Sequence, residues 1–461
     1  MTNGRLERMV RQTQEQARIP ALSVALHRQD RPVWTFQVGG SGTQRPLDAS
    51  TLFRMGSITK SFTAVLVMQC RDEGLLDLDD PVSAHLPVPA HGALTIRRLL
   101  SHTSGIQREP YGDVWDTMAV PNVDQLIGEL VRAERVLPSG RRFHYSNLGV
   151  SLLGHMVGRL HRATWAEVLA DRVLRPLGLA DTVVEPDERA AVGYLVDAYS
   201  DHVRPEPPLD FGAVGPAAQL WSTAADLATW AAFLADPTTV DPSGAVLKAS
   251  TLDEMRWPLT VADEEVWGSG FGLGLILVPQ VDRIVHVGHD GAMPGFLAAA
   301  YGRRGGSGTP KACGVAVLGS SGTAAATVAL PHTLLEAAVA EDPADVVAWV
   351  PGEPAPAEYR SILGRWWSEG FEYVFSWREG ALQARRADDV ALRPPAVFAP
   401  LTGEPDVLRT VAGREVGERL CLHRQPETGA VVRMNWATYR FTRTQETFDG
   451  ITASDPDPTP R

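Results

Sequence analysis

Strand-like segments stand on both sides of a long helical stretch, and that order limits the folds open to the chain. Near the start, SVALHRQ and VWTFQVG read as two strands separated by a polar turn. Much later FGLGLILV, RIVHVGH and CGVAVLG carry strand signals again, and TAAATVALPHTLLEAAVA closes as a helix. From about residue 95 to 235 the pattern is mainly helical. TIRRLLSH opens at Thr95, SNLGVSLLGHMVGRL follows a turn at Pro138 and Gly140, and TAADLATWAAFLA begins after Ser222 and Thr223. Helical material set between flanking strands predicts a sheet-containing lobe beside an inserted all-α lobe, roughly 80–235. Leu6, Met9 and Val10 suit one face of an opening helix, and SITKSFTAVLVMQCRDEG reads as a helix closed by Gly74.

The character of the chain changes after EDPADVVAWVPGEPAPA, a Pro-rich and acidic run at 341–357 that reads as a linker. Beyond it, FEYVFSW and VRMNWATYRFTR alternate at period two. Residues 358–447 are therefore expected to form a small antiparallel β-domain, barrel-like, with Trp366, Trp367 and Trp377 filling its core; a carbohydrate or ligand platform is the other meaning of these tryptophans. The ending, 448–461, reads as a tail. This divides the chain into a larger domain over 1–340, the linker, the small domain and the tail.

A net charge of −12 and a pI near 5.5 leave no electrostatic footprint for nucleic acid. Cys70, Cys313 and Cys421 form no CxxC pair, so buried inert thiols are expected. The N-terminus has no apolar secretory stretch and no run approaches membrane-spanning length, so a cytoplasmic protein without membrane partners is expected. His286 and His289 make an H-x-x-H, but a strand would turn them to opposite faces, and no metal or organic cofactor is expected.

Composition makes one lysine conspicuous. Of 43 cationic residues only Lys60, Lys248 and Lys311 are lysines. Arginine keeps its proton, whereas a desolvated lysine becomes a neutral base near pH 7. The residue three positions earlier is Ala245 for Lys248 and Gly308 for Lys311; only Lys60 has a serine there, Ser57. On a helix, positions i and i+3 share a face, so the two side chains come within hydrogen-bond reach. Gly56 permits close backbone approach, and a serine at a helix start lies where N–H groups stabilise an oxyanion. A serine cap followed by a surface lysine is the other meaning of the same spacing.

GSITK, LLSHTSGI, PSGRRFHYSNLGVSLLG, QLWSTAADLATW, GFGLG and GHDGAMPGF, taken in order, resemble the signatures of the serine β-lactamase and penicillin-binding-protein superfamily. More narrowly they are similar to its class C-like branch of esterases and D-amino-acid peptidases, over about residues 5–340. The resemblance implies an α/β (α+β) fold, an antiparallel sheet flanked by helices. It implies that Ser57 is the nucleophile and Lys60 its base. Tyr145 and Asn147 match Tyr-x-Asn, a proton relay to the leaving group and an amide for an acyl-chain carbonyl. His289-Asp290-Gly291 falls where penicillin-binding proteins carry Lys-Thr-Gly or Lys-Ser-Gly, and the N–H groups of Ser57 and Ala292 would form the oxyanion hole. His102, in SHTSG, is expected to brace a loop.

The histidine departs from the β-lactam-recognising pattern, because a neutral imidazole pairs weakly with a substrate carboxylate. The expectation is a serine hydrolase forming an acyl-enzyme from a small-molecule or peptide substrate: a short ester, a D-amino-acid peptide or a β-lactam-like compound. Two other possibilities stand beside it. One is a stand-alone penicillin-binding-protein-type thioesterase or cyclase of nonribosomal peptides, suggested by relatives with a lipocalin-like C-terminal domain. The other is an inactive binding or sensor module.

Overall fold

The computed structural model describes residues 4–447, apart from residues 30, 264, 307–308, 346–347 and 390–392. The chain forms two compact units, Met1–Val346 and Val347–Arg461. The predicted tail, 448–461, lies outside the described residues.

Among the described residues of the first unit, eight strands make an antiparallel sheet. They are β1 (Ala21–Arg28), β2 (Arg31–Gly39), β3 (Thr260–Val261), β4 (Gly270–Phe271), β5 (Ile276–Pro279), β6 (Val285–Met293), β7 (Phe296–Arg304) and β8 (Cys313–Gly319). Their order is β2-β1-β8-β7-β6-β5-β4-β3. The early and late strands thus join at the centre, where Val24 faces Val317 in the β1–β8 register. A central strand needs apolar residues on both faces. CGVAVLG meets that requirement, with all seven residues buried.

Helices cover both faces. On one face lie α1 (Gly4–Gln16) and α5 (Ala326–Glu341), packed on Leu22, Val24, Val315 and Val317. On the other lie α2 (Thr59–Asp72) and α4 (Ala224–Ala235), part of a larger core that extends into the helical lobe through α3 (Asn147–His161). α2 is buried on nearly every side, so its polar groups need partners. The Ser61 hydroxyl accepts from Trp230 Nε1 at 2.9 Å, and Thr63 Oγ1 donates to the Pro216 carbonyl at 2.7 Å.

Three local expectations are corrected. FGLGLILV is two strands, β4 and β5, because the chain reverses at Gly272–Leu275: Gly272 N–H donates to the Leu275 carbonyl and Gly274 takes φ +75°. The helical lobe also contains a short strand pair, Tyr194–Val196 with Val203–Pro205. Of the three cysteines, Cys70 and Cys313 are buried, while Cys421 is only half-buried.

Among the described residues of the second unit, eight strands form an antiparallel meander in sequence order. Its strands are β9 (Gly364–Ser368), β10 (Phe371–Arg378), β11 (Ala381–Arg386), β12 (Ala396–Leu401), β13 (Glu404–Ala412), β14 (Arg419–Arg424), β15 (Val431–Trp436) and β16 (Tyr439–Phe441). Reciprocal backbone bonds between Trp367 and Thr442, 2.9 and 3.0 Å, tie the first strand to the end of the last and nearly close a barrel. Trp366 lies fully buried in its core and Trp377 packs on the edge of it. Trp367 does not join them, because adjacent strand residues face opposite ways.

Candidate active site

The chain enters α2 through a 3₁₀ turn, Gly56–Ile58, so Ser57 precedes the α-helix and does not stand in its first turn. Neither Met55 nor Ile58, at the two helix starts, makes a side-chain cap, and the serine is free for other partners. Lys60 Nζ donates to Ser57 Oγ at 3.0 Å and to the Ala217 carbonyl at 2.8 Å. Lys60 is only 1% exposed, which disposes of the surface-lysine alternative. Burial holds its ammonium well below the usual lysine range; Glu109 opposes that shift and Arg108 adds to it.

The Tyr145 loop is fixed from behind by His102. Ser146 N–H donates to His102 Nδ1 at 3.2 Å, His144 N–H donates to the His102 carbonyl at 2.7 Å, and the imidazole lies 4.4 Å from the Tyr145 ring. That is the bracing role expected of His102. The Tyr145 ring sits 4.7 Å from Lys60 Nζ, and its phenol hydrogen-bonds with Ser57. Burial pushes the phenol up, so it keeps its proton at neutral pH. Asn147 opens α3, and its Nδ2 donates to Glu109 Oε1 at 2.7 Å, leaving Oδ1 buried without a partner. The amide expected for an acyl chain is thus already tied by one N–H to a carboxylate.

β6 carries His289-Asp290-Gly291-Ala292 past the serine turn. A side chain on Gly291 would place its Cβ 1.9 Å from the Met55 carbonyl oxygen. A Cβ on Gly56, at φ +52°, would lie 2.7 Å from the Ala292 nitrogen. These two glycines bring the backbone of Ser57 and Ala292 together. His289 Nδ1 donates to the Asp290 carbonyl at 2.6 Å, so Nε2 carries the lone pair, and it has no partner. Burial, helped by Lys60, pushes the imidazole down to about 3. Its neighbour in the H-x-x-H pattern, His286, points away to His332 and Glu336, 2.8 Å from each, on α5. Among the described residues no group of three or more His, Cys, Asp or Glu is placed to hold a metal ion.

All seven residues named from the sequence therefore converge, and two cavities meet at Ser57. One, of about 510 Å³, is lined by Tyr145, His289, Asp290 and Gly291. The other, of about 420 Å³, is lined by Glu109, Asn147, Met293 and Glu206. Arg108 borders both, its guanidinium 4.9 Å from the Tyr145 ring and 3.5 Å from the Glu109 carboxylate. Sequence inspection missed Arg108 and Glu109, because no motif marks one acid among 55 or one arginine among many.

A family model described as Beta-lactamase matches residues 6–335, and one described as Domain of unknown function (DUF7586) matches 355–443. The chain is 32% identical over 273 residues to penicillin-binding protein 4 of Amycolatopsis lactamdurans, covering 55% of this chain and 69% of that one. It spans about half the length of other curated relatives, 46% and 49% for two of them. Among solved structures, a D-stereospecific amidohydrolase from a Streptomyces species shares 25% identity at a TM-score of 0.59, over 72% of this chain and 98% of that one. The structure of SurE shares the fold across 96% of this chain and 98% of its own, with a TM-score of 0.60 at 23% identity. Among the described residues no helix is long and apolar enough to cross a membrane.

Proposed function

The chain belongs to the β-lactamase family, and from that premise we propose that it is a serine hydrolase forming an acyl-enzyme at Ser57 from short esters or D-configured amides. The observation that carries this is the buried Lys60 Nζ, 3.0 Å from Ser57 Oγ and depressed in basicity by its burial. Neutral Lys60 takes the hydroxyl proton as Oγ bonds to the substrate carbonyl carbon. The carbonyl electrons move to oxygen, which accepts hydrogen bonds from the N–H groups of Ser57 and Ala292. As the bond to the leaving group breaks, Tyr145 passes a proton to the departing atom and is reprotonated from Lys60. Water then resolves the ester by the same steps in reverse order.

His289 supports esters and amides over substrates that depend on a carboxylate. Its Nε2 lone pair and neutral ring would face a carboxylate with an acceptor where an ammonium would donate. The likeness to a D-stereospecific amidohydrolase supports the amide half of the proposal. Intact-mass measurement with a fluorophosphonate is expected to show one adduct on the parent and none on Ser57→Ala, which also loses turnover. An adduct on Ser57→Ala would place the nucleophile elsewhere. Screening p-nitrophenyl esters, D-amino-acid amides, a chromogenic cephalosporin and peptidyl thioesters then ranks the substrate classes. A preference for the thioester with an amine as acceptor would redirect the proposal to cyclisation.

A further inference from the structure

The cavity on the β6 side continues past Ser57 and His289 to the opposite face of the sheet. Successive residues of a strand face opposite ways, so Asp290 turns from the serine toward Tyr301 of β7 and His332 of α5. All three residues, together with Ile276, Val278, Leu297 and Val328, line the same cavity of about 510 Å³ as Ser57 and Tyr145. The Tyr301 phenol hydrogen-bonds the Asp290 carboxylate, while Asp290 Oδ1 is buried and has no partner. A buried carboxylate oxygen without a donor is costly, the more so when the group is charged. Asn147 and Glu109 line the other cavity, so the two arms divide at the serine. Tyr145, which serves the departing atom, belongs to the arm that contains Asp290.

Given the Ser57 acyl-enzyme proposed above, we infer that Asp290 determines specificity in a leaving-group pocket that takes an apolar chain ending in a primary ammonium. The Ile276, Val278, Leu297 and Val328 side chains match methylene groups, and the unpartnered Oδ1 matches an N–H donor with a positive charge. The other titratable groups along this arm do not compete for the ligand. Burial pushes His332 down to about 4 and His289 to about 3, so both rings are neutral. Arg108 is paired with Glu109 at 3.5 Å. Asp290 itself is raised to about 6 by burial, against the Tyr301 hydrogen bond, and is ionised at pH 8. A carboxylate-bearing leaving group would meet a like charge there.

The test compares two butyrate esters at pH 8, one of 5-aminopentanol and one of hexanol, whose leaving groups match in length and differ in the terminal ammonium. In the parent, kcat/KM for the aminopentyl ester is expected to exceed that for the hexyl ester about tenfold. Asp290→Asn should lose most of that ratio, Asp290→Glu should keep part of it, and Tyr301→Phe should retain it. Asp290→Ser replaces the asparagine variant if the latter does not fold. A parent ratio at or below one, or a ratio unchanged in the neutral variant, overturns the assignment. Fluorophosphonate labelling of the parent separates the two levels. Labelled Ser57 with no amine preference removes only the Asp290 pocket, whereas an unlabelled Ser57 removes the acyl-enzyme beneath it.

Discussion

At the scale of single residues, the chemistry turns on which groups are neutral. Lys60 is enclosed by protein on all sides, with Ser57 Oγ and the Ala217 carbonyl as its acceptors. The base works when deprotonated, and burial favours that form, so kcat/KM should rise with pH along an acid limb and then level off. The midpoint of that limb is expected below the ordinary lysine range, which lies near pH 10.4. Lys60→Met keeps an unbranched, nearly isosteric side chain without a basic nitrogen, and should cost about 10²–10⁴ in kcat. Lys60→Arg should be almost as inactive, because guanidinium does not release its proton. A limb near pH 10, or substantial activity in Lys60→Arg, would mean that the lysine acts only as a fixed charge. His289 makes the complementary case. Its ring is neutral, and His289→Lys should shift the ratio of kcat/KM for a cephalosporin over a p-nitrophenyl ester upward. An unchanged ratio in a variant whose melting curve matches the parent would remove His289 from substrate choice.

At the scale of elements, the site is the meeting of a 3₁₀ turn with a strand edge. β5 pairs with β6 only as far as Gly288, so the segment from His289 to Met293 is paired on one side alone, by β7. The face of that segment that carries His289 and Gly291 lies against the serine turn, and Gly291 lets the two come into contact. Gly291→Ala should therefore force the turn and strand apart. An overpacked contact of this kind costs about 1–3 kcal/mol, and loss of one oxyanion donor costs about 10²–10³ in kcat. The combination is the expected outcome: a lowered melting temperature together with slow fluorophosphonate labelling. A variant that melts early yet labels at the parent's rate would separate the glycine's packing role from the chemistry.

At the scale of the whole molecule, each unit has a core of its own. The first is built on both faces of the long sheet, and the second is centred on Trp366, Phe375, Phe398 and Trp436. Every residue assigned to the reaction belongs to the first unit. Limited proteolysis at the junction of the units should release a fragment ending near residue 346 that still takes up one fluorophosphonate. Loss of labelling on cleavage, with the fragment still folded, would show that the second unit completes the site.

Local spacing by itself determined which residues act together wherever one element holds them. Ser57 and Lys60 are three residues apart, and the periods of α3, β1, β8 and β10 mark helix and strand, because side-chain direction repeats with backbone geometry. The collinear motifs then placed Tyr145, Asn147 and His289 in one site. Other features depended on neighbours distant in the chain. Glu109 ties down Asn147 across 38 residues, and His102 holds the Tyr145 loop across more than 40. The neutral state of His289 comes from burial, with Lys60 adding to it, and FGLGLILV is split by a reversal that puts β4 and β5 side by side. Desolvation and long-range pairing arise only when remote segments pack together, so the tertiary structure alone decided the partners of Asn147 and His102, the depth of the His289 shift and the split of FGLGLILV.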